Sequence, residues 1–424
     1  MTFTEIRDSL FARGRFGIRP GLETVRGILQ RLGHPERQFP VVHLAGTNGK
    51  GSTAAFLTSI LREGGYRTGL FTSPHLISFT ERFQINGREI SEETVVSLAK
   101  EVLAVAPAEA TFFELVTSLA LLYFAREKVE LALLEVGMGG RLDATNAVSG
   151  ILSIITPVSL DHCRYLGDTV REIAGEKAGI ISGCGPVVCS SQDDEALAVI
   201  TARSAECAVP LHRAGHEFRG EWRGDLLDYH GLNCSLLGLM PGISGDYQAD
   251  NAASALAAAE LLAERGFPAL PSALARGIQT ATWPGRMELF PGPPRLLLDG
   301  AHNPAGVAAL LTSLERVKRK RLILVTGLMA DKDREGVLTP LLARADEVLT
   351  VTVDLPLATP AEELATYCRA HGARATAAGA VSRGIALATE RAGYDDLILV
   401  TGSLYLVGEA RGLLLHRPSR PFQG

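Results

Sequence analysis

The sequence predicts an α/β fold, and two features of the chain predict it. Short apolar runs alternate with helix-like segments over most of the length, as in a parallel sheet covered on both faces. The first clear run also ends in a glycine-rich turn that opens into a helix-like segment, PVVHLAGTNGKGSTAAFL over residues 40–57. Strand, glycine loop and helix in that order form the first half of a βαβ unit.

Taken in order, Val41–Ala45 reads as a strand, residues 51–63 as a helix and 67–71 as the next strand. Residues 113–126 read as a helix and 131–136 as a buried strand, with further strands at 151–156 and 186–190. Residues 213–235 are polar, glycine-containing and alternate with a period of two, which predicts a small antiparallel insertion. The alanine-rich residues 249–264 predict a helix. WPGR (283–286) and PGPP (291–294) then interrupt the chain. Proline restricts its own backbone and that of the residue before it, so this stretch reads as a linker. The expected domains are 1–290 and 291–424. The second, smaller part alternates strands at 295–299, 321–326, 347–353 and 396–401 with helices. Asp299, His302, Asn303, Asp331 and Ser403 lie just past strand ends, the edge at which open α/β sheets bind ligands.

At 424 residues, two or three domains are expected. A composition 46% hydrophobic and 21% charged is that of a soluble globular protein, and a net charge of −5 argues against a general nucleic-acid binder. No apolar run is long enough to span a bilayer, and MTFTEIRDSLFARGR lacks a signal-peptide core. The cysteines at 163, 184, 189, 207, 234 and 368 form no C-x-x-C pair. Metal-thiolate and disulfide scaffolds are therefore not expected, and a reducing cytoplasm is.

Several strings carry chemistry. Gly46-Thr47-Asn48-Gly49-Lys50-Gly51-Ser52-Thr53 differs from G-x-x-x-x-G-K-[ST] in its first glycine spacing and in the glycine after the lysine. Backbone N–H groups backed by a helix N-terminus cradle phosphate oxygens, and Lys50 adds a point charge. Any glycine-rich turn shares part of this pattern; the strand context, lysine and hydroxyls favour phosphate. Glu135 ends an apolar strand in LLEVGMGGRLDATN, where a carboxylate could hold Mg²⁺ or cap a turn. Asp161-His162 follows another strand, and a histidine there is structural or a ligand. Lys177 beside Glu176 reads, from the residues alone, as a surface ion pair of little energetic weight. Ser73 follows the second strand of the βαβ unit, and its hydroxyl either meets a metal or satisfies a loop backbone.

Read together, AGTNGKGS, TSPHL, ERFQING, TFFELVT, LEVGMGGRLDATN, DH, LGDT, EKAGI, YQADNAA, WPGRME, LDGAHNPAG and TGSLYLVGEAR resemble the folylpolyglutamate synthase/dihydrofolate synthase family of the Mur ligase superfamily, in the family's order from about residue 40 to residue 411. The resemblance implies a P-loop-type Mur ligase central domain followed by a Rossmann-like C-terminal domain. It implies ATP binding by Thr47, Asn48, Gly49, Lys50, Gly51 and Ser52, with Asn251 on adenine, Arg286 on the phosphates, Asp299 on the ribose and His302 bordering the nucleotide. Ser73, Glu135 and His162 become Mg²⁺ ligands, and Lys177 a lysine carboxylated by CO₂. It leaves room for a monovalent cation. Thr111, Phe112, Phe113 and Glu114, with Leu142, Asp143 and Ala144, would surround the pteroate group; one of the two phenylalanines is expected in the core. Tyr247-Gln248 stands where the family often has His-Gln.

The implied reaction is ATP-dependent amide formation between a dihydropteroate or folate carboxylate and L-glutamate through an acyl phosphate, with Lys50, Lys177 and His162 as catalytic residues. A cytoplasmic monomer acting on small molecules, with no nucleic-acid or membrane partner, is expected. The alternatives are a muropeptide-type amino-acid ligase, a phosphotransferase and a non-catalytic nucleotide-binding module.

Overall fold

The apolar runs assemble into two main sheets and a small third one. The computed structural model describes residues 1–17 and 21–417. In the first sheet the strand order is Arg88–Glu89, Phe83–Ile85, Thr68–Phe71, Leu131–Glu135, Val41–Ala45, Leu152–Ile155, Val187–Cys189 and Leu211–Arg213. Pairing is parallel from Thr68–Phe71 onward, and the two strands before it run antiparallel. The polar insertion folds as an antiparallel meander of Arg219–Arg223, Leu226–His230 and Ser235–Leu239. In the second sheet the order is Glu288–Phe290, Arg295–Leu298, Leu397–Thr401, Leu322–Thr326, Glu347–Thr352 and Ala375–Ala380, with only the first strand antiparallel. Glu288–Phe290 lies upstream of the 290/291 division expected from the linker prolines, so the second sheet begins before it.

Alternation along the strands builds a core on each face. In the second sheet Leu297, Leu322, Leu324, Val348, Leu397 and Leu399 pack on one side. Their neighbours Leu298, Ile323, Val325, Leu349, Ile398 and Val400 pack on the other. In the first sheet Val41, Ala132 and Leu134 join the cluster under helix Phe112–Arg126. Val42, Leu44, Leu133 and Ile154 join the cluster under helices Lys50–Glu63 and Gln248–Ala263. The alanines of that last helix, buried along almost its whole length, let it lie close against the helix after the glycine loop.

His43 is the exception in the central strand. It is fully buried, in register with Leu134 on one neighbouring strand and Ser153 on the other. Burial lowers its imidazole to about 4. The Thr145 backbone is close enough to raise it slightly but is not in hydrogen-bonding geometry with either ring nitrogen. The unfolded chain therefore takes up a proton at this residue between pH 6.5 and about 4 that the folded chain refuses. Stability falls as pH drops through that window, by about 3 kcal/mol in total from this residue. Denaturant midpoints at the two ends of the window should show His43→Leu losing less stability than the parent on acidification; equal losses would refute the assignment.

Candidate active site

The glycine loop joins strand Val41–Ala45 to helix Lys50–Glu63, with Gly49 as the N-cap. Gly49 has φ +90°, and a Cβ there would meet Asn251 Oδ1 at 2.5 Å, so the turn requires glycine for both conformation and space. The loop is pinned from outside: Thr47 Oγ1 donates to Ser159 O at 3.0 Å and accepts from Ser159 N at 3.0 Å. Thr47, Asn48, Gly49, Lys50, Gly51 and Ser52 all line a cavity of about 270 Å³ into which the helix N-terminus opens. Lys50 Nζ donates to Gly46 O at 2.9 Å and Thr47 O at 3.3 Å.

Lys177 Nζ donates to the same Gly46 carbonyl, at 2.8 Å. This overturns the surface-pair reading of Lys177. Glu176 instead binds Arg141 at 2.8 Å, while Lys177 turns inward and is 5% exposed. Burial, aided by the charge of Lys50 and opposed by Asp161 and Asp143, lowers its amine to about 7.

Ser73, Glu135 and His162 line this cavity too. Glu135 ends its strand beside Thr68–Phe71, so the chain past Phe71 delivers Ser73 to it. Ser73 N–H donates to Glu135 Oε2 at 3.2 Å. Burial pushes the Glu135 carboxyl up, against Lys50, the Ser73 N–H, Arg286 and Arg82. His162 sits in the left-handed region, φ 53°. Burial lowers its ring to about 4, with Lys332, His302 and Lys50 assisting and Asp161 opposing. A neutral imidazole, a buried carboxylate and a hydroxyl thus face one space. Among the described residues no three His, Cys, Asp or Glu side chains cluster into an all-protein cage. That donor set fits an oxygen-seeking ion that completes its shell with phosphate and water.

The far wall comes from the second sheet. Arg286, Asp299 and His302 line the cavity, as does Asn251 from the first unit. Asp299 is held rigidly: Oδ2 accepts from Met287 N at 3.0 Å and Tyr247 Oη at 2.9 Å, and Oδ1 from Ala301 N at 2.9 Å. Tyr247, where the family often has histidine, therefore ties helix Gln248–Ala263 to Asp299. Asn251 Nδ2 donates to Gln248 Oε1 at 2.8 Å.

Polar side chains from both units join the halves. Asp161 Oδ1 binds Lys332 Nζ at 2.7 Å, and its Oδ2 accepts from Asn303 Nδ2 at 3.1 Å and faces His302 Nε2 at 3.4 Å. Asn48 and Asn303 exchange amide hydrogen bonds at 3.1 and 3.2 Å. The usable signal for Asp161 was its place beside His162 past a strand end; Lys332 carried none.

A second cavity, of about 360 Å³, adjoins the first. Thr111, Phe112, Phe113, Glu114, Leu142, Asp143 and Ala144 line it together. Thr111 and Glu114 form a capping box at helix Phe112–Arg126, with Thr111 Oγ1 donating to Glu114 Oε2 at 2.8 Å. Phe112 is 2% exposed and belongs to the core, while Phe113 lies over Gly137. Asp143 Oδ1 accepts from Thr145 Oγ1 at 2.6 Å and Oδ2 from Met138 N at 2.9 Å. Ser73 and His162 belong to both cavities. Arg82 and Tyr405, missed in the sequence, also line the second.

Comparison with known proteins matches residues 44–259 to the Mur ligase middle domain and 285–404 to the Mur ligase glutamate ligase domain. The dihydrofolate synthase/folylpolyglutamate synthase of Bacillus subtilis is 35% identical over 96% of this chain and 98% of its own length. Escherichia coli FolC, solved with DHPP and ADP, superposes with TM-score 0.90 at 30% identity, covering 97% of this chain and 98% of that one. The bifunctional enzyme of Yersinia pestis, solved with AMPPNP and a Mn ion, gives TM-score 0.85 at 33% identity over 94% of each chain. The two-sheet architecture, the two matched domains and this full-length similarity place the chain in the Mur ligase family, in its dihydrofolate synthase/folylpolyglutamate synthase branch.

Proposed function

We propose that this chain joins L-glutamate to the carboxylate of dihydropteroate, of folylpolyglutamates or of both, cleaving ATP to ADP and phosphate. One observation carries the reading: a polar cavity at a phosphate-type loop and a largely apolar one share Ser73 and His162 as a common wall. A flat heterocycle held in the second cavity presents its carboxylate across that wall to the terminal phosphate held in the first.

A carboxylate does not acylate an amine at a useful rate, because oxide would have to leave. In the first step a carboxylate oxygen forms a bond to the γ-phosphorus, and the bond to the bridging oxygen breaks, with ADP keeping the electron pair. The glutamate amine then attacks the acyl carbon. The tetrahedral intermediate expels phosphate, and the amine proton is lost to give the amide. Two anions must meet in the first step, so the protein's task is charge neutralisation and alignment. Lys50, from the loop, and Arg286, from the opposite wall, both line the first cavity and are assigned to the phosphates. Asn251 and Asp299 are assigned to adenine and ribose, and His302 to the nucleotide's border. Thr111, Phe112, Phe113, Glu114, Leu142, Asp143 and Ala144 are assigned to the heterocycle. Ser73, Glu135 and neutral His162 would hold Mg²⁺, which when bound offsets phosphate charge.

Lys177 is assigned as the carboxylated lysine. CO₂ adds to a free amine and releases a proton; an amine lowered to about 7 and turned toward Gly46 supplies the free form at neutral pH. We read the chain as two units dividing just before Glu288–Phe290. It works as a monomer, since every assigned residue comes from one chain, and its six free thiols support a reducing cytoplasm. Among the described residues no helix is long and apolar enough to cross a membrane.

With ATP, Mg²⁺ and labelled glutamate, the chain should glutamylate dihydropteroate, tetrahydrofolate or both; labelling of neither acceptor overturns the reading. Lys50→Ala and Glu135→Ala should stay folded and lose on the order of 10²–10³-fold in turnover or more, the typical loss for one such electrostatic contact. Near-normal turnover in either variant would remove that residue from the mechanism. In carbon-13 bicarbonate at about pH 8, a carbamate resonance should appear, be absent in Lys177→Ala, and fade as pH falls below about 7, where the amine protonates. A spectrum without it would refute the lysine assignment alone.

A further inference from the structure

Arg82 is 2% exposed, yet it ends a short turn, Phe79–Arg82, at the wall of the apolar cavity. Its guanidinium is held from behind. Nε donates to His75 Nδ1 at 2.8 Å, which makes the ring the neutral Nε2–H tautomer, and the group lies 5.2 Å from the Phe112 ring centre. No carboxylate among the described residues pairs with it. Glu81, next in the chain, is committed to backbone: its carboxylate accepts from Leu76 N, Ile77 N and Ser78 N at 2.7–2.9 Å. Glu135 faces the nucleotide cavity and the Ser73 N–H. Burial lowers Arg82 to about 10, so it stays charged at neutral pH. Its charge is met by the more distant carboxylates of Glu135 and Glu81 but by no ion-pair partner among the described residues, and a buried guanidinium in that state is costly unless an anion completes it.

The cavity it lines says which anion. Around Arg82 are Phe112, Phe113, Leu142 and Ala144, which suit a flat apolar body. Ser73 and His162, also in this wall, open onto the phosphate loop. Tyr405 lines the same cavity from the second unit. An anionic group on the end of a flat ligand would thus meet Arg82 just before it meets the nucleotide. This rests on the reading given under Proposed function.

We propose that Arg82 binds the reacting carboxylate of the pteroate substrate, holding one oxygen in its fork and leaving the other to attack the γ-phosphorus. A guanidinium suits this task because its planar donors fix the direction of a carboxylate, which a point charge does not. Arg82 gives up no proton. It offsets charge while the oxygen–phosphorus bond forms and ADP leaves with its electron pair.

The test is the affinity of the full chain, with ADP present, for dihydropteroate and for its carboxamide, in which an amino group replaces the acidic oxygen. The parent protein should prefer the carboxylate by at least tenfold. Arg82→Gln should lose that preference, binding the carboxamide as the parent does and the carboxylate at least tenfold more weakly, with ADP affinity unchanged. Arg82→Lys, which keeps the charge in a fold-preserving side chain, should retain part of the preference and lose more in turnover than in affinity. A preference equal to the parent's in Arg82→Gln, or equal losses for both ligands in Arg82→Lys, overturns the role of Arg82. If the parent binds neither ligand, the pteroate reading itself fails, and the role of Arg82 with it.

Discussion

The buried carboxylate of Asp161 is the contact on which the site's assembly depends. It projects from the loop after strand Leu152–Ile155, and its partners Lys332, His302 and Asn303 all come from the second unit. Burial resists its ionisation. The hydrogen bond and charge of His302, with His162 and Lys332, prevail and hold the carboxyl well below the usual carboxylate range. Such a pair adds little net stability over apolar packing, but loss of one partner leaves a buried uncompensated charge. Its value here is therefore geometric. Arg286 and Asp299 face the glycine loop, and Tyr405 the second cavity, only while the second sheet stays docked on the first. The Tyr247–Asp299 and Asn48–Asn303 hydrogen bonds fix the same docking at two further points.

Within the docked site, the cations Lys50, Lys177 and Arg286 line one cavity with the carboxylates Glu135, Asp161 and Asp299. Lys50 and Lys177 share the Gly46 carbonyl, and Arg286 and Arg82 both act on Glu135. Burial is the main cause of the lowered amine of Lys177, and the nearby charge of Lys50 adds to it. In the proposed reaction, phosphates would lie against Lys50 and Arg286 and a carboxylate against Arg82, and carboxylation of Lys177 would replace its cation with an anion. Preformed charge of this kind needs no reorganisation at the moment of reaction.

The parts of the fold legible in the sequence were those whose burial writes a pattern. Val41–Ala45, Leu131–Glu135, Leu322–Thr326 and Leu397–Thr401 are buried on both faces and read as apolar runs. The polar meander was legible because one exposed face enforces alternation. Edge strands were not. Ala375–Ala380 is small and half-exposed, Arg88–Glu89 is charged and exposed, and Glu288–Phe290 lies between linker prolines. The same distinction governs the site. Motif residues announced themselves by glycine spacing and strand ends. Arg82, Tyr247, Lys332 and Tyr405 act through long side chains that cross between elements, and nothing in local spacing tells where such a side chain ends. Lys177 is the clearest case: its neighbours in sequence suggested a solvent-facing helix surface, and only the approach of the glycine loop makes its position an interior one.

Topology explains why so many unrelated segments converge. Loops following Val41–Ala45, Thr68–Phe71, Leu131–Glu135 and Leu152–Ile155 supply Lys50, Ser73, Asp143 and His162. Loops following Arg295–Leu298, Leu322–Thr326 and Leu397–Thr401 supply His302, Lys332 and Tyr405. All are carboxyl ends of parallel strands, where helix N-termini and free backbone donors also gather. Docking two parallel sheets with these ends facing doubles the number of loops that can reach one point. It also divides the labour. The cavity proposed for the heterocycle is built almost wholly by the first unit, whereas the one proposed for the nucleotide takes a wall from each. On the proposed assignments, only the nucleotide would depend on docking throughout its length. The acceptor would feel docking mainly at Tyr405, which lines the same cavity as Arg82, so closure of the two units would act where the new bond is made.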